Sequence, residues 1–583
     1  MKPVNQGGPT FHIYLRYRDL FPNATDVEGQ YWHALRRPTV LNALGVLGNV
    51  NRNFVEGRAY DLNVHHQLNQ SLLSAELKAM VNQRQAAFAQ PASFVVFTRV
   101  GCLQLMRNLI VYGNKSAVLA DQKEEQLGEL VLLGNTYIEF DLAGDPSEQS
   151  TLDVLLLNLP RWDVDNQRDL ANSVVRIFTI LTDILPGQDP KVVKLTSQLG
   201  IDFSDIKIDG LSLDDFISTV YGVYAHGREM TQQNTAQFDI RNIFSRVALP
   251  KSLLWKLVRG RARSISQFKQ LLSLGRPCTR SSFLIDVRKR SFLAEGLNSF
   301  RKFPMLKVDR YRVIMLDLQF IVELLTAGVY WSIFDDLAPN KREGFRELWG
   351  RLYEVYAVDL LVEFYPPMSG LLTPDIEHSE GQIDALLDFG SAVLVFEMKA
   401  SLLTEAAKRG RSKADFIQDF NRKFVRNEKG KPKVILQLAT SCKAIEDGRL
   451  KTSCRSGNRP GSPRIYPIFV SDEPAVEALF FNTYLNELFQ TEIQASAAIR
   501  PVTAMSIDEL EEVLPYVAAN IFTWEELLQQ RFLQTEVSGY SVHQTIFDLL
   551  IKKKTPPLRN EPMLKKSAEI LERIAARFKP VSA

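Results

Sequence analysis

Two apolar, β-prone runs joined by Gly390-Ser391 constrain this chain more than any other part of it. They read Gln382-Ile-Asp-Ala-Leu-Leu-Asp-Phe-Gly-Ser-Ala-Val-Leu-Val-Phe-Glu-Met-Lys-Ala400. Gly-Ser suits a two-residue hairpin loop. Counting outward from that loop pairs Phe389 with Ala392, Asp388 with Val393, and Asp384 with Glu397. Side chains alternate along a strand, so Glu397 and Lys399 project from one face and Met398 from the other. Directly opposed residues of an antiparallel pair share a face, which brings Asp384 to the same side. An acid, an acid and a lysine are thus expected to converge inside a hydrophobic sheet, where charges are costly unless paired or bound to metal.

Phosphodiester hydrolysis needs such a set: a hard cation held by carboxylate oxygens, a water made nucleophilic, and positive charge near the transition state. Asp384 and Glu397 are the expected ligands of Mg²⁺ or Mn²⁺, together with the Met398 carbonyl. Lys399 is expected to orient or deprotonate the water and to offset developing negative charge. The tripeptide by itself carries no weight, because an acid two residues before a lysine also occurs at Glu76, Asp121, Asp189 and Asp205. The apolar run at 393–396, the turn and the opposed acid give it meaning.

In that context, residues 345–472 resemble the PD-(D/E)xK, or restriction-endonuclease-like, nuclease superfamily. The family's acid before the turn falls on Asp384 and its Glu-x-Lys strand on Glu397-Met398-Lys399. The resemblance also implies a helical glutamate, matched by Glu354 in Leu352-Tyr353-Glu354-Val355-Tyr356, and a helical glutamine, matched by Gln437 in Val434-Ile-Leu-Gln-Leu. On a helix Glu354 lies opposite the stripe Phe345, Leu348, Trp349, Leu352, Tyr356, among Gly350, Ala357, Val358 and Leu361. That placement fits either a metal-site acid or an anchor for a neighbouring basic side chain. Gln437 reads equally as a capping or surface amide. The family name implies Pro-Asp, whereas Asp384 follows Ile383; a literal Pro374-Asp375 lies in a polar stretch nine residues earlier, and Asp375 is the reserve candidate. The resemblance implies a core of mixed sheet flanked by helices and Mg²⁺- or Mn²⁺-dependent cleavage of nucleic acid, DNA ahead of RNA. A helical region fused to such a core also resembles prokaryotic restriction and antiphage effectors, by analogy. The alternative is a nuclease-like fold that binds nucleic acid or serves as a scaffold without cutting.

At 583 residues the chain exceeds one ordinary core, and a multi-domain, mainly α protein with one α/β core is expected. The division expected from composition is a helical region over 1–250, a basic helical region over 251–340, the nuclease-like core over 341–474 and a helical region over 475–583. Helices are expected over 72–88 and 169–185 and a strand over 311–316. Residues 251–310 hold fifteen Lys/Arg against three acids, and 405–464 sixteen against six, whereas 121–220 hold nineteen acids against seven bases. Such asymmetry suits a polyanion. Arg259, Arg261 and Arg263 are the candidate phosphate contacts. Trp255, Phe268, Phe283, Phe292, Phe300 and Phe303 are either base-stacking platforms or buried core. Gly113-Asn114-Lys115-Ser116 lacks the Gly-rich turn of a phosphate loop, and His65-His66 has no partners at metal-ligand spacing. The four cysteines form no Cys-x-x-Cys pair, which excludes a zinc knuckle. With no apolar run of ~18 residues and no secretory leader, a cytoplasmic protein without membrane contact is expected. A protein partner, if there is one, is expected on the N-terminal helical half; oligomeric state is left open.

Overall fold

The computed structural model describes residues 11–54, 62–86, 92–114, 125–137, 152–153, 155–156 and 170–577, apart from 202, 204–205, 231–235, 247–249, 274–275, 290–296, 379–380, 405–406, 409–412, 451–462, 479–480, 495 and 536–541. Helices dominate, and the chain divides into two units. The first joins Met1–Asp141, Asp205–Ser332 and Ile574–Ala583; the second joins Leu142–Ser204 and Ile333–Arg573. This grouping differs from the division expected from composition, because proximity in sequence and membership of one core need not coincide. Among the described residues, no single helix is long and apolar enough to cross a membrane.

The first unit is built around the helix Arg99–Tyr112, every residue of which is buried. Its charged members survive there by pairing. Arg99 meets Asp317 through two hydrogen bonds of 2.7 and 2.9 Å, and Arg107 meets Asp286 at 2.7 Å. The strand expected over 311–316 is Arg312–Met315, in a four-stranded sheet with Gln237–Asp239, Met305–Lys307 and Ala262–Ser264. The helix expected over 72–88 is Ala75–Ala86, preceded by a separate helix at Leu62–Leu72. Ser74 breaks them, accepting from the Leu77 and Lys78 N–H groups as an N-cap residue does. Phe268, Phe283, Phe300 and Phe303 are buried in this unit, which decides against base stacking by these rings; Phe292 lies outside the described residues.

In the second unit, helix α1 (Leu170–Phe178) continues into a π-helical turn at Thr179–Ile184, and α2 (Pro190–Leu199) follows. The long helix α3 (Arg342–Phe364) leads to the strands β1 (Leu372–His378), β2 (Gly381–Asp388) and β3 (Ala392–Lys399). Then come α4 (Lys413–Phe420), α5 (Val434–Glu446), β4 (Arg464–Ser471), α6 (Phe481–Ile493), β5 (Thr503–Ser506) and α7 (Ile507–Ala518). One five-stranded sheet has the order β5-β4-β3-β2-β1, with β1, β2 and β3 antiparallel in turn and β3, β4 and β5 parallel. The sheet therefore reaches Ser506, beyond the boundary at 474 expected from composition. β3 is buried along all but its last residue, as its unbroken apolar run requires of a central strand. Val393 and Val395 pack into a core with α5, while Phe396 faces Trp524 on the other side.

A buried ion pair ties α1, α3 and α7 together. Arg176 donates to both Glu511 carboxylate oxygens at 2.8 and 3.0 Å and to Asp508 at 2.5 Å, and the Tyr356 hydroxyl of α3 donates to Glu511 at 2.8 Å. Removing one partner strands the other charge in the core. Arg176→Met should cost about 3–5 kcal/mol of stability, measured as the shift in urea midpoint multiplied by the slope, and Arg176→Met with Glu511→Leu should recover most of it. A single variant as stable as wild type would show that the pair does not hold these helices.

Candidate active site

The hairpin forms as its residues dictate. Phe389 N–H donates to the Ala392 carbonyl at 2.9 Å, leaving Gly390-Ser391 as the loop. Gly390 takes φ +85°, which the first residue of a type II′ turn requires and which only glycine adopts freely. Asp388 fixes the turn by accepting from Gly390 N–H at 2.8 Å. The pairing runs from Asp388 with Val393 to Ala385 with Phe396, the register expected from counting, and stops one step short of Asp384 and Glu397.

Beyond Ala385 and Phe396 the ladder opens. The Met398 N–H donates to Asp384 Oδ2 at 2.7 Å, so a side chain stands where an unbroken ladder would present the Ile383 carbonyl. This fixes the Asp384 carboxylate beside the strand that carries Glu397 and Lys399. The Lys399 Nζ lies 2.8 Å from Glu397 Oε1, 3.3 Å from Glu354 Oε1 and 3.5 Å from Asp384 Oδ2. Three carboxylates from α3, β2 and β3 therefore converge on one ammonium. Asp384 and Glu397 are buried, and Lys399 and Glu354 keep about a fifth of their side-chain surface exposed at 20% and 21%.

Burial pushes the Glu397 carboxyl up to about 8, with the charges of Asp384 and Glu354 adding to the effect and Lys399 opposing it. Burial likewise raises Glu354. For Lys399, burial alone would favour the neutral amine, but Glu397, Asp384 and Glu354 outweigh it and hold the ammonium well above its ordinary range.

Glu354 also anchors a second cation, which is the outcome expected of an anchor for neighbouring basic side chains. Its Oε2 lies 3.5 Å from Arg351, one turn earlier on α3. Arg351 in turn reaches Asp189 at 2.8 Å and Asp375 at 3.1 Å. Asp375, with φ +47°, is half-exposed and is further held by Gln382 at 2.7 Å and Lys191 at 3.7 Å. It makes no contact with Lys399, so Asp384 rather than Asp375 completes the cluster. Sequence reasoning missed Arg351 and Asp189. The i, i+3 spacing of Arg351 and Glu354 was a signal for the first; nothing local pointed to the second.

Gln437 lies in the first turn of α5, the helix that packs across β2 and β3. Its side-chain oxygen is buried without a hydrogen-bond partner, and it does not bond to Asp384, Glu397, Lys399 or Glu354. Arg259 is exposed at the end of the helix Lys251–Arg261. Arg261 is buried, bonded to Asp209 at 2.6 Å and Ser332 at 2.8 Å. Arg263 lies 3.8 Å over the Phe303 ring and donates to the carbonyls of Arg259, Gly260 and Ala262. Arg261 and Arg263 are thus spent on internal contacts of the first unit, and as phosphate contacts they would have to give these up.

Among the described residues, no three His, Cys, Asp or Glu side chains form a ready metal cage. The cluster still fits a divalent cation in one respect. Glu397 Oε1 is buried and within ion-pair distance of Lys399, yet it accepts no hydrogen bond of proper alignment. An oxygen so placed has lone pairs available to a hard cation, and Asp384 supplies a second carboxylate beside it. Comparison with protein-family models, with curated proteins and with solved structures returns no match to this chain.

The raised Glu397 carboxyl has a consequence for stability. Between its ordinary 4.5 and about 8, the folded protein keeps a proton that the unfolded chain has released. Its contribution is therefore present below about pH 4.5 and lost as pH rises through 8. Glu397→Gln, which does not titrate, should gain stability relative to wild type between pH 5 and pH 9 in paired urea titrations. A constant difference across that range would contradict the raised carboxyl.

Proposed function

We propose that this protein is a metal-dependent nuclease whose second unit contains a restriction-endonuclease-like core. The observation that carries the reading is the convergence of Asp384, Glu397 and Glu354 on Lys399 at the point where the β2–β3 ladder opens. Asp384 and Glu397 are the residues to hold Mg²⁺ or Mn²⁺, with the Met398 carbonyl as the third ligand. Such an ion, when bound, would polarise a phosphoryl oxygen and acidify a water.

The chain's own groups do the rest. Lys399, kept as an ammonium by its three carboxylates, orients the attacking water and stabilises charge on the phosphoryl oxygens. Glu354 fixes the lysine from the helix side, itself braced by Arg351 through its other oxygen. The ladder opening sets Asp384 by a backbone N–H, so its position does not depend on the substrate. Nucleic acid, with DNA ahead of RNA, is the substrate class, and restriction or antiphage defence is the setting that the resemblance suggests.

The rival reading is a nuclease-like fold that binds nucleic acid without cutting it. Cleavage separates the two. Labelled linear and circular DNA should be cut with Mg²⁺ or Mn²⁺ and left intact in EDTA. Lys399→Ala, Asp384→Ala and Glu397→Gln should each lower the rate by about 10²–10³, read on variants that circular dichroism shows to be folded. Mg²⁺ should raise the melting temperature of wild type more than that of Asp384→Ala. Full activity in Lys399→Ala, or cutting that persists in EDTA, places the chemistry elsewhere.

A further inference from the structure

The second unit carries cations that its own carboxylates do not neutralise. Residues 422–433 hold six Lys/Arg and one acid, Glu428. Arg422 takes Glu428 at 3.3 Å and Asp419 at 2.6 Å, and Lys423 shares Asp419 at 3.5 Å. Arg426, Lys429, Lys431 and Lys433 remain, and among the described residues none has an ion-pair partner. The first three are exposed and Lys433 is half-exposed.

These cations stand on a built turn. Arg426 and Pro432 form an antiparallel bridge, and Lys433 N–H donates to the Val425 carbonyl at 2.9 Å below it. Asn427 knits the tip: its N–H donates to the Lys431 carbonyl at 3.0 Å, its carbonyl accepts from Gly430 at 2.9 Å, and its Oδ1 accepts from the N–H groups of Lys429 and Lys431 at 3.0 and 2.9 Å. Gly430 supplies the left-handed residue, at φ +75°. The backbone is thus ordered before any ligand arrives, which lowers the entropy lost on binding. The side chains of this turn offer charge and little else. Pro432 is the one apolar residue between Arg426 and Lys433, and no aromatic stands there to enter a bilayer or stack on a base. The turn leads directly into α5, which packs on the strands bearing Asp384 and Lys399.

We propose that the 426–433 turn is the surface through which this protein grips the sugar-phosphate backbone of nucleic acid, in a sequence-independent manner. The inference deepens the nuclease reading and rests on it for the identity of the polyanion. It also moves the binding surface from the first unit, where Arg261 and Arg263 are internally bonded, to the unit that holds the carboxylate–lysine cluster.

The test uses the full chain in EDTA, so that binding is read without cleavage. Lys429→Glu with Lys431→Glu leaves the Asn427 hydrogen bonds in place. It should weaken binding of labelled duplex DNA about tenfold or more and reduce the slope of log K against log salt by about two, roughly 0.9 for each phosphate no longer neutralised. The same weakening should appear whatever the duplex sequence. Lys552→Glu with Lys565→Glu makes an equal change of net charge at exposed positions and should leave affinity within about twofold. Should the first pair lower the melting temperature, Lys429→Gln with Lys431→Gln replaces it, with the same expected change of slope because two phosphates again go unneutralised. Equal weakening in both pairs, unchanged binding in the turn variants, or wild-type preference for phosphatidylserine vesicles or polyglutamate over DNA overturns the proposal. Wild type that binds through the turn but never cuts with Mg²⁺ or Mn²⁺ overturns the nuclease reading alone. Wild type that cuts, with turn variants that bind normally, overturns the turn alone.

Discussion

One ammonium facing three carboxylates sets the terms for the second unit. Taking Asp384, Glu397 and Lys399 out of water costs several kcal/mol per ion, and a like-charged trio would be unstable without a central cation. Lys399 provides it through its contacts with all three carboxyl groups. The arrangement is possible because three elements meet at one place: β3 brings two of its members, β2 a third and α3 the fourth. The buried Arg176, Glu511 and Tyr356 set then holds α3 against its neighbours, so the helix that supplies Glu354 is fixed from the far side as well.

The central hairpin was legible in the sequence because every local signal agreed. Gly390 could take a positive φ, the flanking runs were apolar, and parity placed Asp384 and Lys399 on one side. The helical position of Glu354 could be read to the point of two outcomes, and its contacts with Lys399 and Arg351 are those of an anchor for basic side chains. What could not be read was decided by tertiary contact. Asp189 lies 162 residues from Arg351, and no periodicity joins them. The phenylalanines at 268, 283, 300 and 303 looked the same in sequence whether they faced solvent or core, and burial decided for the core. Arg261 stood in a basic tract, yet Asp209 claims it. Gln437 sits on the right helix without a bond to the cluster, since helix assignment does not fix where a long side chain ends.

Positive charge in this protein therefore falls into two populations that composition merges. Arg99, Arg107, Arg176 and Arg261 are buried with carboxylates and serve the fold. Arginine suits that use because its planar fork bonds a carboxylate bidentately and stays charged when desolvated. The cations of the 426–433 turn include three lysines and have no carboxylate partner among the described residues. Lysine is strongly hydrated and mobile, which favours diffuse contact with a polyanion over a fixed internal pair.

The discontinuity of the second unit bears on how the protein is made. Arg176 and Glu511 are separated by 335 residues, with Tyr356 between them. At ~5–20 residues per second, Arg176 leaves the ribosome roughly 20–70 seconds before its partner exists. During that interval the nascent chain has α3 and then the hairpin but lacks the carboxylate that locks α3 in place. The chain thus acquires its braced cluster only near the end of translation, and a truncated product carries Asp384, Glu397 and Lys399 without the frame that holds Glu354 to them.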